Sequence, residues 1–205
     1  MNDDFEAGID YLRQKKCIGK LIKSMDVPSF PKEPGHFSSL IKYIIYQQLS
    51  IKSARKIYDR LIDLFQKKSV TPKNFKLLSD EDLKAVGISR PKIKYMNEIA
   101  DTFINNKDYL NDIDSLSNDE IMSELIKIKG VGPWTAEMFL MFTLHRLNVF
   151  SVKDLGLQKG IQKLFNLDKI PSYEYMLKKA DNWNPYQTIA CLYLWKLIDG
   201  NNFEW

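Results

Sequence analysis

A chain of 205 residues, 44% hydrophobic and 12% aromatic, can bury a substantial core, which excludes a disordered polypeptide. A formal net charge of +4 admits a polyanionic partner without marking a strongly basic surface, so charge by itself assigns no ligand. Two cysteines, Cys17 and Cys191, are too few for a four-cysteine zinc or iron–sulfur centre, and no apolar run reaches the roughly 20 residues that cross a bilayer. The start Asn2-Asp3-Asp4 is acidic rather than a basic leader, which predicts a cytoplasmic protein, or a nuclear one in a eukaryote, with both cysteines as packed thiols.

In chain order, Tyr11 to Met25 reads as a short helix closed by the Pro28, Pro31, Pro34 and Gly35 cluster, because proline cannot continue a helix. Phe37, Leu40, Ile41, Ile44, Ile45 and Gln48 step at i, i+3, i+4, i+7, i+8 and i+11, an apolar stripe that ends on an amide. Ala54, Ile57, Tyr58, Leu61 and Phe65 make the next helix. Ser79-Asp80-Glu81-Asp82 opens another with cap-favouring and acidic residues, and Gly87 ends it. Ile93, Met96, Ala100, Phe103 and Ile104 continue the pattern, and Ser117 with Glu120 predicts a capping box ahead of Ile121, Met122, Leu125 and Ile126. Ala136, Phe139, Leu140 and Thr143 follow at helical spacing. Beyond Asp154 come three more runs, on Leu157, Ile161, Leu164 and Phe165, on Tyr173, Met176, Leu177 and Ala180, and on Ile189, Leu192, Tyr193 and Leu197.

No segment alternates as a strand does, and no repeat or flexible linker separates folding units. The expected fold is therefore all-α, one domain over residues 1–205 in two helical lobes around a cleft. One lobe spans about 37–110 with parts of the termini, the other about 111–180.

Between two of these helices lies Gly130-Val131-Gly132-Pro133-Trp134-Thr135. Glycine turns sharply and presents bare amides, and Pro133 suits a first helical turn. The amides of Val131, Gly132 and Thr135 are expected to be unpaired at a helix N-terminus, where partial positive charge favours an anion. A glycine pair that merely relieves crowding in a corner has the same sequence. Asp154 follows the apolar approach Val149 to Val152 and begins the next helix, where an N-cap role suffices to explain it. Lys153 reads as a solvated charge. His36, in a turn, and His145, near a helix end, form no metal constellation.

The Gly-Val-Gly turn, the Pro-Trp-Thr-Ala start and a carboxylate 22 residues past Gly132 resemble the helix-hairpin-helix DNA glycosylases. Ile44-Ile45-Tyr46-Gln47-Gln48-Leu49-Ser50, Leu83 to Ile88, Trp183-Asn184-Pro185-Tyr186 and Leu192-Tyr193-Leu194-Trp195, in that order, are similar to the 3-methyladenine DNA glycosylase II branch. The chain before Phe37 is too short for the N-terminal β-rich domain of some bacterial members, so the compact form is expected.

The resemblance implies that Asp154 is catalytic, stabilising positive charge on the sugar and orienting water. It implies that Gly130, Val131, Gly132 and Thr135 hold phosphate without reading sequence. Gln48, with Leu49 second, becomes the wedge that fills the gap left by a flipped nucleotide, and Trp134, Met138 and Trp195 wall the pocket for a cationic base. In strand-cutting relatives a lysine nucleophile occupies the position of Trp134, so a monofunctional enzyme is implied.

The implied function is excision of alkylated purines, of the 3-methyladenine and 7-methylguanine class, from duplex DNA by base flipping and hydrolysis. The protein is expected to be a monomer that requires no cofactor and meets no membrane, with a monovalent cation allowed at the hairpin carbonyls. Two alternatives stay open: a module that binds lesions without cleaving, and a glycosylase for deaminated or oxidised bases.

Overall fold

The computed structural model describes residues 3–28, 30, 35–66, 68–106 and 109–200. Helix α1 (Asp3–Arg13) starts with Asp3, Asp4 and Glu6, three acids at the positive end of the helix dipole. Helix α2 (Ile18–Lys23) follows. The single helix expected over Tyr11 to Met25 is thus two, and the first begins earlier. The chain folds so tightly between them that a Cβ on Gly19 would lie 2.4 Å from the Arg13 carbonyl oxygen. Pro31 and Pro34 lie outside the described residues.

Helix α3 (His36–Tyr46) is buried from Phe37 through Tyr46. Even Lys42 is only 7% exposed, its ammonium 5.8 Å and 5.9 Å from the ring centroids of Tyr46 and Tyr58. Around it stand α4 (Ile51–Leu64), the one-turn α5 (Pro72–Phe75), α6 (Asp80–Ala85) and α7 (Arg90–Asn105). Sequence periodicity does not find α5, which is too short to carry a repeat; Thr71 caps it, and Phe75 packs edge-on to Phe37.

A 3-10 turn at Ile113–Ser115 leads to α8 (Asn118–Ile126). The expected boxes are present at Ser79 with Asp82 and at Ser117 with Glu120, each filling two orphan donors and contributing about 1 kcal/mol. Helix α9 (Pro133–Met138) then widens into a π-helical turn over Phe139–Thr143 that buries Phe139, Leu140, Met141 and Phe142.

Helices α10 (Leu155–Leu164), α11 (Tyr173–Asp181) and α12 (Gln187–Asp199) complete the chain. Among the described residues there is no strand. Helix α12 is buried from Thr188 through Lys196, and Lys196 donates its ammonium to the Asp26 carbonyl at 2.9 Å. Gly160 of α10 lets that helix approach the Leu194 backbone: a Cβ there would sit 3.1 Å from the Leu194 oxygen.

The helices form two compact units, one of residues 1–31 with 145–205 and the other of residues 32–144. Each is organised on one largely buried helix, α12 in the first and α3 in the second. The division at 144 differs from the lobe boundary expected near 110, because α9 and its π turn pack on α3 and so belong with the helices before them.

Candidate functional site

In the 32–144 unit, the hairpin between α8 and α9 uses its two glycines differently. Gly130 has φ +96°, and a Cβ on it would fall 2.2 Å from Cγ of Tyr95, so conformation and packing both require glycine. Gly132, with φ −100° and ψ 178°, is in extended backbone open to any residue, and a Cβ there would meet nothing within 4 Å. The fold does not need that glycine; its missing side chain leaves open space before the first turn of α9.

One expected amide is not available: the Val131 N–H donates to the Ile128 carbonyl at 3.0 Å, and the Val131 side chain is buried, because the hairpin closes its own tight turn. Gly132 and Thr135 stand ahead of or within the first turn, whose first backbone bond runs from Ala136 N–H to Gly132 O. The Thr135 side chain is buried and its Oγ1 accepts from Nε2–H of Gln47 at 2.8 Å. The same amide nitrogen donates to the Gly130 carbonyl at 3.0 Å.

Gln47 is the C-cap of α3, so Gln48 lies outside the helix whose stripe it was expected to end, at φ +58°, a left-handed conformation that non-glycine residues seldom adopt. Gln48 and Leu49 are both exposed. Lys92, in the first turn of α7, donates from Nζ to the carbonyls of Ile45 and Gln47, both at 2.7 Å. Burial lowers its pKa. A shallow cavity of about 240 Å³ lies beside this turn, lined by Ile45, Leu49, Ile57, Ile88 and Lys92 among others.

In the other unit, Asp154 is the N-cap of α10. Its Oδ1 accepts from the Leu157 amide at 2.8 Å and from the Trp195 indole Nε1–H at 2.8 Å, with the residue 9% exposed. Gly156 makes room for that indole: a Cβ on it would lie 2.7 Å from Cδ1 of Trp195. Asp199, at the far end of α12, has its pKa raised by burial and then by the Asp154 charge, against the lowering effect of Lys159.

Trp195 is 2% exposed and Met138 has no exposed surface, so neither presents a face to solvent, whereas Trp134 is half-buried. Lys153 is exposed. His36 heads α3 rather than lying in a turn. Its ring meets that of Phe139 edge-on at 5.6 Å, and burial lowers its pKa against the opposing pull of Asp114. His145 packs against Phe30, with ring centroids 5.2 Å apart. The Cys191 thiol is buried and Cys17 is half-buried. Among the described residues no group of three or more His, Cys, Asp or Glu could hold a metal ion, and no helix is long and apolar enough to cross a membrane.

Gly130 and Thr135 therefore come together on Gln47, and Asp154 and Trp195 meet directly. Sequence reasoning does not single out Gln47, Lys92 or Gly156. For Gly156 a signal exists: glycine inside a helix costs about 1 kcal/mol relative to alanine and so needs a reason.

Residues 41–185 match the model of the HhH-GPD superfamily of base excision DNA repair proteins. DNA-3-methyladenine glycosylase 1 of Schizosaccharomyces pombe is 35% identical over 194 residues, covering 93% of this chain and 83% of that protein. Bacillus subtilis YfjP is 34% identical over 169 residues, and the chain spans 59% of its length. Among solved structures, the Schizosaccharomyces pombe 3-methyladenine DNA glycosylase Mag1 in complex with abasic DNA superposes with a TM-score of 0.84 at 30% identity, over 97% of this chain and all of that one. A Bacillus halodurans DNA-3-methyladenine glycosidase gives 0.77 at 34%, over 93% and 88%. The matched span takes in the hairpin, the Gln47 to Leu49 turn and Asp154, and by that match the chain belongs to the HhH-GPD superfamily, in its 3-methyladenine branch.

Proposed function

We propose that this protein is a monofunctional DNA glycosylase, acting as a monomer on duplex DNA and excising alkylated purines of the 3-methyladenine and 7-methylguanine class. The observation that carries the reading is the carboxylate of Asp154, held on one oxygen by a main-chain N–H and an indole N–H at the head of α10. A carboxylate so oriented offers fixed negative charge to a sugar that becomes cationic as its bond to the base breaks. The names of the relatives, two of them 3-methyladenine glycosylases of Schizosaccharomyces pombe and Bacillus halodurans, point to the same chemistry.

In this reading the N-glycosidic bond breaks with its electron pair leaving on the purine. A water oxygen bonds to the anomeric carbon, and Asp154 orients that water and takes up its proton. An alkylated purine is already cationic and leaves without strong acid catalysis. The half-exposed Trp134 offers it an aromatic face, while Met138 and the Trp195 indole serve from buried positions, the latter by steering the carboxylate.

Gly132, which the fold does not require, leaves the first turn of α9 open to a phosphate, and Gln48 with Leu49 fills the gap in the duplex. No step needs a cofactor or a cation. With tryptophan rather than lysine at position 134, no Schiff base forms and the abasic strand stays intact.

The test is incubation with duplexes carrying 7-methylguanine, hypoxanthine or 8-oxoguanine, with free base and strand breaks measured separately. Release of 7-methylguanine without breaks is expected. Binding of the methylated duplex with no base released would convert the protein into a lesion-binding module, and release of only the deaminated or oxidised base would reassign its substrate.

A further inference from the structure

Gln48 adopts a backbone conformation that a non-glycine residue keeps only where its surroundings enforce it. Two side chains tie down the residue just before it. From one side the Lys92 ammonium gathers the carbonyls of Ile45 and Gln47, a cation at the C-terminal end of α3 where the helix dipole favours it. From the other, the Gln47 amide spans to the hairpin and donates to both Gly130 O and Thr135 Oγ1. The residue that immediately precedes the wedge is thus tied by its main chain to α7 and by its side chain to the hairpin.

We infer that Lys92 and Gln47 are positioning residues that lock the Gln48–Leu49 turn to the hairpin, so that the wedge enters the duplex at a set distance from the gripped phosphate. The inference rests on the wedge and hairpin roles proposed above. A side chain that loses this registration by an ångström still binds DNA, through phosphate contacts, but no longer unstacks the right step. Lysine suits the task because its compact ammonium carries three donors and reaches two carbonyls from a long stem. The neighbouring cavity leaves that stem room to move if the bonds are cut.

The experiment uses the full chain and a duplex holding a tetrahydrofuran abasic analogue with 2-aminopurine on its 3′ side, whose fluorescence rises when the wedge unstacks it. At saturating wild-type protein the rise is expected. Lys92→Met and Gln47→Leu should lose most of it and slow single-turnover excision of 7-methylguanine by about tenfold, while Lys92→Arg, which can also donate to two carbonyls, restores both. A full rise with Lys92→Met overturns the inference. So does a loss that tracks the thermal midpoint and is not rescued by arginine, or a wild-type protein that gives no rise. Because the abasic duplex has no base to release, a wild-type protein that unstacks it but excises nothing would sink the proposed chemistry and leave the positioning role standing.

Discussion

Two helices of this protein begin in opposite ways. Helix α9 starts at Gly132, which has no side chain to cap with and no acid in the turn that follows; helix α10 starts at Asp154, whose own carboxylate fills the cap. The N-terminal amides of α10 thus have an internal anion, and the bond to Leu157 orients that anion as much as it satisfies the helix. At α9 the cap residue supplies no side-chain acceptor to the first turn. In the proposed function the same element, with and without a side-chain cap, is the mount of a reactive carboxylate in one place and a socket for phosphate in the other.

The comparison can be broken most sharply at Asp154. Asparagine caps a helix about as well as aspartate but carries no charge, so Asp154→Asn should lower single-turnover excision by at least about a thousandfold while the thermal midpoint and DNA affinity stay near wild type. Normal excision by that variant would remove Asp154 from the chemistry. Gly130→Ala should show what the hairpin costs to build. With φ +96° and the base of the Tyr95 side chain in the way, it is expected to destabilise the protein by about 2–4 kcal/mol, read by urea denaturation, whether or not DNA is present.

Trp195→Phe keeps an aromatic ring in the core but removes the N–H to Asp154 together with part of the indole's volume. A fall of about tenfold in kcat is expected, with a stability loss of about 1–3 kcal/mol from the carboxylate oxygen left short of a donor and the space the indole vacates. Unchanged kcat would reduce the indole to packing.

The smallest effect is the most discriminating. Gly132→Asp gives α9 the cap that α10 has, so stability should rise by a few tenths of a kcal/mol while affinity for abasic duplex falls about tenfold, as the new carboxylate takes the amides and repels phosphate. If stability and affinity move in the same direction, α9 is not a phosphate socket.

The helices were legible because their signals are local. The stripe Phe37 to Ile45, the boxes at Ser79 and Ser117, the proline in the first turn of α9 and the cap at Asp154 each depend on residues within a turn or two of one another, and all are present. The split of the first helix into α1 and α2 was not legible, since Arg13 and Gly19 meet only through the fold of the chain between them.

The site divides along the same line. The sequence alone determined where the turns, caps and candidate carboxylate stand, because 3.6-residue periodicity, glycine, proline and capping side chains act on their immediate neighbours. Only the tertiary structure decided that Trp195 bonds Asp154 across 41 positions, that Gln47 spans 83 and 88 positions to the hairpin, and that Lys92 holds the end of α3. Such bonds depend on which buried helix each segment packs against, and no local pattern carries that information.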